Sequence, residues 1–112
     1  VATGTALTTG LGDGAPAGNS TLGVFALGDN ATTTNIYTYS SNAVATGTAL
    51  TTGLGDGAAA GNSTLGVFAL GGTTTTTNIY TYSSNAVATG TVFTSGLVYG
   101  AAASNGTTGV NV

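Results

Sequence analysis

The chain has 112 residues, more than half of them threonine, glycine or alanine, and it carries only three charges, all aspartates. Because it has no lysine or arginine, it lacks the side chains that neutralise nucleic-acid phosphates or bind acidic membrane surfaces. It has no cysteine, which excludes disulfides and thiolate metal sites, and no apolar run approaches the length of a membrane span. We therefore expect neither nucleic-acid binding nor membrane insertion.

Internal repetition is the strongest feature of the sequence. Residues 1–43 match residues 44–86 at 39 of 43 positions, and a partial third copy, residues 87–112, retains 16 of 26. The first two copies differ only at Pro16/Ala59, Asp29/Gly72, Asn30/Thr73 and Ala31/Thr74. Such repetition predicts one β-rich domain, residues 1–112, in which each unit buries a face against the next.

The first predicted strand spans residues 21–27 and recurs at residues 64–70. The strong helix formers Glu, Lys, Gln, Arg and Met are absent and glycine recurs every few residues, so β-structure is expected throughout. This segment, Thr-Leu-Gly-Val-Phe-Ala-Leu, is apolar at both odd and even positions. A strand of this kind is expected to be covered on both faces.

Two further strands are predicted later in each copy. Residues 36–40, repeated at 79–83, are rich in β-branched and aromatic residues, and the alternation of a strand places Tyr37 and Tyr39 on one face. Residues 44–51 form the next candidate, and the glycine-rich cluster at 53–57 that follows is typical of a turn.

The spacing of small residues predicts the fold class. Ala15, Ala31, Ala43 and Ala58 follow Gly or Asn at steps of 16, 12 and 15 residues. These steps divide each copy into three segments averaging about fourteen residues, the scale of one coil in a repetitive β-protein. We therefore predict an all-β fold, a repetitive β-solenoid or β-roll-like unit with rungs of about 14 residues. The alternative is a pilin-like β-sandwich with strand exchange.

Several short motifs resemble the head repeats of YadA-like trimeric autotransporter adhesins. They are Asn42-Ala43-Val44-Ala45-Thr46-Gly47, Gly55-Asp56-Gly57-Ala58-Ala59-Ala60-Gly61-Asn62-Ser63 and Phe25-Ala26-Leu27-Gly28-Asp29-Asn30-Ala31. The resemblance implies rungs of about fourteen residues, a β-roll in a trimeric surface head, and no catalysis.

Four asparagines lie in Asn-x-Ser/Thr sequences and are candidates for covalent glycans if the protein is secreted. They are Asn19, Asn30, Asn62 and Asn105. Asn19, Asn62 and Asn105 share one phase of the repeat, so we expect them to be equivalent, exposed turn positions. A turn rich in Asn, Ser and Thr can also generate this pattern by composition alone.

Catalytic, cofactor and metal sites are not expected. The chain has no histidine or lysine to activate its many hydroxyls. The Gly-Asp-Gly sequences at Asp13 and Asp56 faintly resemble calcium loops, but calcium needs more carboxylates than one per turn, which favours an aspartate turn. Thr-Gly-Thr at residues 3–5, 46–48 and 89–91 resembles the threonine ladders of ice-binding solenoids, although the spacing of 43 residues makes the array sparse.

These observations predict a non-enzymatic extracellular or cell-surface structural protein that assembles with copies of itself into a fibre or filament. Exposed sheet edges promote association between chains, and a protein without charges to block them can use those edges for assembly. The alternative is an adhesin head that binds host or matrix surfaces, and an ice-binding protein is a minor one. Glycans would hydrate a chain that otherwise lacks charge.

Overall fold

A computed structural model describes residues 2–72 and 74–96, together with the backbone of 102–104 and 109–111. This part of the chain is all strand and turn, as predicted, and contains no helix long and apolar enough to cross a membrane. The first sheet contains β1 (Ala15–Gly18), β2 (Leu22–Ala26), β3 (Thr34–Thr38) and β4 (Ala43–Thr46). The second contains β5 (Ala58–Gly61), β6 (Leu65–Ala69), β7 (Thr77–Thr81) and β8 (Ala86–Thr89), and the third contains β9 (Ala102–Ser104) and β10 (Gly109–Asn111).

Residues 15–46 and residues 58–89 each fold into one antiparallel sheet whose strands follow chain order, and each sheet takes its last strand from the start of the next repeat. The first sheet has the order β1-β2-β3-β4, and the second has the order β5-β6-β7-β8. The register is the same in both, since Val24 lies opposite Ala17 as Val67 lies opposite Ala60. The pair β9–β10 keeps this register, with Val110 opposite Ala103. The sheets therefore recur with the 43-residue period of the sequence, offset from the bounds of the repeats.

This pairing differs from the rungs of about 14 residues that the small-residue spacing predicts. Turns of three residues (19–21) and four residues (39–42) reverse the chain, which allows antiparallel neighbours, whereas the parallel strands of a coil need longer crossings. Ala15, Ala43 and Ala58 begin strands β1, β4 and β5. Ala31 lies in the loop between β2 and β3, so three of the four positions mark strand starts within a meander.

The predicted strands agree with the structure in their centres and differ at their ends. Strand β2 lies within residues 21–27 and is buried or half-buried along its length, as expected from its apolar composition. Strand β3 overlaps residues 36–40 but ends at Thr38, and β4 ends at Thr46, well before residue 51. Strand β1 was not predicted, because Ala-Pro-Ala-Gly has low strand propensity. It lies at a sheet edge, where proline is tolerated.

Left-handed backbone conformations account for the Asp and Gly residues of the turns. Asp13 and Asp56 have φ values of 53° and 54°, which agrees with their interpretation as turn residues. Asp29 and Gly72, which differ between the repeats, have φ values of 56° and 60°, so this substitution preserves the backbone. At Gly28 (φ 77°), an added Cβ would lie 1.9 Å from a carbonyl oxygen, which requires glycine.

The hydrophobic core lies between the two sheets. Strand alternation gives each sheet two unlike faces. The aliphatic face of the first sheet consists of Ala15, Ala17, Leu22, Val24, Ala26 and Ile36, and the aromatic faces of the two sheets consist of Phe25, Tyr37 and Tyr39 in the first and Phe68, Tyr80 and Tyr82 in the second. The core combines the aliphatic face of the first sheet with the aromatic face of the second, together with Leu50, Leu54 and Leu70. The two repeats consequently share one core.

Candidate functional site

The contact between successive sheets is the most developed feature of the described chain. Strand β1 stacks on β5 and β6, and β5 stacks in the same way on β9 and β10. In the first contact, the aliphatic face of one sheet meets the aromatic face of the next. Because the two surfaces differ, the contact is head-to-tail, the type that extends without closing unless its rotation generates a ring.

A glycine allows the first two sheets to approach closely. A Cβ added at Gly66 on β6 would lie 2.8 Å from the Cβ of Ala17 on β1, closer than side-chain carbons pack. The neighbouring turns are also joined, since the Asn19 side-chain nitrogen Nδ2 donates to the carbonyl of Ser63 at 3.0 Å. The stacking of the sheets therefore depends on small residues and on a turn-to-turn hydrogen bond.

The segment between the two sheets, residues 47–54, is hydrogen-bonded to the first repeat. Three backbone N–H groups donate to carbonyls in the loop before β3 or at its start: Gly47 to Thr34 (3.0 Å), Leu50 to Thr32 (2.9 Å) and Leu54 to Ala31 (3.1 Å). The pattern recurs one repeat later, where Gly90 donates to Thr77 at 3.0 Å and Phe93 donates to Thr75 at 2.9 Å. Each repeat thus holds the first residues of the next.

A buried asparagine anchors the same segment to the second repeat. Asn78 on β7 is 0% exposed. Its Oδ1 accepts from the Thr51 N–H at 2.9 Å, and its Nδ2 donates to the Thr77 carbonyl at 3.0 Å. Asn35 makes the equivalent bond with Thr8 at 2.9 Å. Buried amides need such partners, so residues 47–54 join the two sheets on both sides.

The two tyrosines of the second aromatic face have different polar environments. The Tyr80 hydroxyl accepts from the Thr48 N–H at 3.2 Å. The Tyr82 hydroxyl is buried and has no hydrogen-bond partner among the described residues. Burial raises the pKa of Tyr82, and the Tyr39 hydroxyl acts in the same direction. Burial of an unpaired hydroxyl reduces the free energy of unfolding.

Identical side chains are covered in the second repeat and open in the first. Leu11 is 51% exposed and its counterpart Leu54 is 0% exposed, while Tyr39 is 51% exposed and Tyr82 is 8% exposed. Phe25 and Tyr37 are half-buried, whereas Phe68 and Tyr80 are fully buried. Since these residues have the same neighbours in sequence, the difference comes from the first repeat, which covers the second.

The candidate glycosylation sites fall in different environments. Asn19 and Asn62 are equivalent, because in each hairpin turn the Oδ1 accepts from the N–H two residues later at 2.9 Å. Both are half-buried, not exposed as expected, since the turn holds the side chain inward. Asn30 is exposed, with φ of 61°. Asn105 lies outside the described residues.

The described residues form no site for the metal-binding and ice-binding functions considered from the sequence. In that part of the chain, no three His, Cys, Asp or Glu side chains lie close enough to hold a metal ion. In the first two Thr-Gly-Thr sequences the hydroxyl of the second threonine is used internally: Thr5 donates to the Asn42 carbonyl and Thr48 donates to the Asn85 carbonyl. Absence of catalysis and of cofactors stays a prediction.

No protein-family model matches this chain, and a search of curated proteins finds no match. The resemblance to YadA-like head repeats therefore stays a prediction.

Proposed function

We propose that this chain is a non-enzymatic structural segment of an extracellular fibre or filament, in which each repeat adds one sheet to a growing stack. The observation that carries the proposal is the shared core between the repeats. The aromatic face of the second sheet is buried by the aliphatic face of the first sheet, together with Leu50 and Leu54 of the segment between the two sheets. A repeat that buries its apolar face against the neighbouring repeat is typical of proteins built as extended stacks of repeats.

The energetics of the stack support a mechanical role. Full burial of a large apolar side chain contributes roughly 1.5–3 kcal/mol, and Phe68, Leu54 and Tyr80 are each completely buried at the junction. Backbone hydrogen bonds from residues 47–54 cross the same junction. Separating two repeats would therefore expose the core and break hydrogen bonds together.

The finer form of the fold follows from this arrangement. The repeating element of the proposed fibre is the 43-residue sheet, and the fibre is a solenoid only in the broad sense that like units stack along one axis. Secretion and covalent glycans remain part of the proposal. Asn30 is the favoured acceptor among the described asparagines because it is exposed.

Electron microscopy of the purified chain at increasing concentration tests the proposal. We expect continuous thin fibres, together with faster sedimentation as concentration rises. Discrete trimers with a head and stalk would favour the adhesin alternative. A folded β-protein that stays monomeric at every concentration would contradict the structural role.

A further inference from the structure

The first repeat carries an open copy of the surface that the second repeat buries. Its aromatic face, together with Leu11, matches the covered surface around Phe68, Tyr80, Tyr82 and Leu54 in residue type. Leu11 and Tyr39 are both half-exposed in the described structure. Grouped apolar exposure of this kind marks an interaction surface.

The internal junction shows which partner fits this face. In the second repeat the covering element is the aliphatic face of the preceding sheet, with β1 lying over β5 and β6. At the other end of the chain, β9 and β10 keep the register of that covering pair, since Val110 lies opposite Ala103 as Val24 lies opposite Ala17. They also stack on β5 as the earlier units stack.

We infer that the aromatic face of the first sheet, with Leu11, binds strands β9 and β10 of a second copy of this chain and so joins copies head to tail. The inference rests on the proposed function, because it names the surface through which subunits of the fibre meet. All three carboxylates, Asp13, Asp29 and Asp56, lie outside the strands. The strand-to-strand part of the contact thus buries no charge, a step that would be costly, and Asp29, which lines the cavity beside Leu11, is exposed.

Residue 16 is the one place where the open face and the covered face differ within their strands. Pro16 on β1 lies opposite Phe25 and is exposed, while Ala59 on β5 lies opposite Phe68 and packs against the core. Replacing Pro16 with alanine gives the open face the composition of the covered one. The variant Pro16→Ala should therefore associate at least as tightly as the natural chain.

Analytical ultracentrifugation of the full chain tests the surface. We expect concentration-dependent association that Leu11→Asp weakens by at least about tenfold, because docking would bury the new carboxylate. Ser84→Asp is the matched control: it adds the same charge to an exposed turn of the second repeat and should leave association unchanged. Circular dichroism shows whether each variant retains its β-structure.

Cysteine crosslinking tests the partner, since the natural chain has no thiol. Ala103 stands where Ala17 stands in the first repeat, and Gly23 stands where Gly66 stands in the second. Chains carrying Gly23→Cys and chains carrying Ala103→Cys, mixed and oxidised, should give mainly the mixed dimer, because oxidation traps each encounter even though a Cβ at residue 23 weakens docking, as at Gly66. Replacing the Gly23→Cys partner with Ser84→Cys should lower the yield of mixed dimer roughly to that of random collision.

The outcomes separate this inference from the proposed function. Monomers at every concentration would overturn both. Assembly that is insensitive to Leu11→Asp, with equal crosslinking from position 84, would overturn the surface and leave the fibre intact. Association of Pro16→Ala alone would overturn the inference for the natural chain, because proline would then cap the array.

Discussion

Replacing Tyr82 with phenylalanine should stabilise the chain, although it removes a polar group from the core. The Tyr82 hydroxyl is buried without a hydrogen-bond partner among the described residues. Such a group costs about 1–3 kcal/mol relative to its hydrated state in the unfolded chain. Phenylalanine keeps the ring that packs between the sheets. We therefore expect the free energy of unfolding to rise by about 1 kcal/mol, which corresponds to roughly 5 °C in Tm for a chain of this size.

The matched control is Tyr39→Phe, the same substitution at the same position of the first repeat. Tyr39 is 51% exposed, so the free energy of unfolding should change by less than about 0.5 kcal/mol. Urea unfolding followed by circular dichroism measures both variants. A loss of stability in Tyr82→Phe larger than that in Tyr39→Phe would show that the hydroxyl has a partner and would refute the reasoning.

Because the Tyr82 hydroxyl is buried, we expect the free energy of unfolding to fall at alkaline pH. An ordinary tyrosine ionises near pH 10. In the folded chain the pKa of Tyr82 is raised, mainly by burial and to a smaller extent by the nearby Tyr39 hydroxyl. Above about pH 10 the unfolded chain therefore releases this proton first, and the free energy of unfolding falls by up to about 1.4 kcal/mol per pH unit. Below that pH the contribution is intact. Tyr82→Phe should have a shallower alkaline decline than the natural chain.

Further predictions concern the junction between the repeats. Gly66→Ala should lower the free energy of unfolding by about 1–3 kcal/mol in urea unfolding, because the added methyl overlaps the first sheet. Gly23→Ala, at the uncovered face of the first sheet, should leave that free energy nearly unchanged. Equal losses in the two variants would contradict the stacking of the sheets. Asn78→Ala should lower the free energy of unfolding by about 1–3 kcal/mol in thermal unfolding, since the N–H of Thr51 loses its acceptor. A neutral result would refute this anchoring role. Native material should carry no sugar on Asn19, whose Nδ2 donates across the junction, and a glycopeptide at that position in an elastase digest would contradict this.

The sequence predicts the strand centres and the two faces, but not how the sheets meet. The β-branched and aromatic run around Ile36 favours a strand because such side chains fit a pleated surface, and alternation places Tyr37 and Tyr39 together. Strand β1 is hidden by its Ala-Pro-Ala-Gly composition, which is typical of turns. The sequence also does not predict which of the two aromatic faces is buried, because Leu11 and Leu54 have nearly identical sequence neighbours and differ only in tertiary contacts.

The observed stacking changes the physical basis on which assembly should be understood. The scarcity of charge predicts edge-to-edge pairing, but the contact between repeats joins sheet faces. The outer strand β1 is also short and contains Pro16, which cannot donate a ladder hydrogen bond. Short strands and proline both discourage edge pairing. Apolar faces without charge, in contrast, can stack without burying an ion. The scarcity of charge in this chain is therefore better explained by the need of each repeat to present two apolar faces, one to the unit before it and one to the unit after.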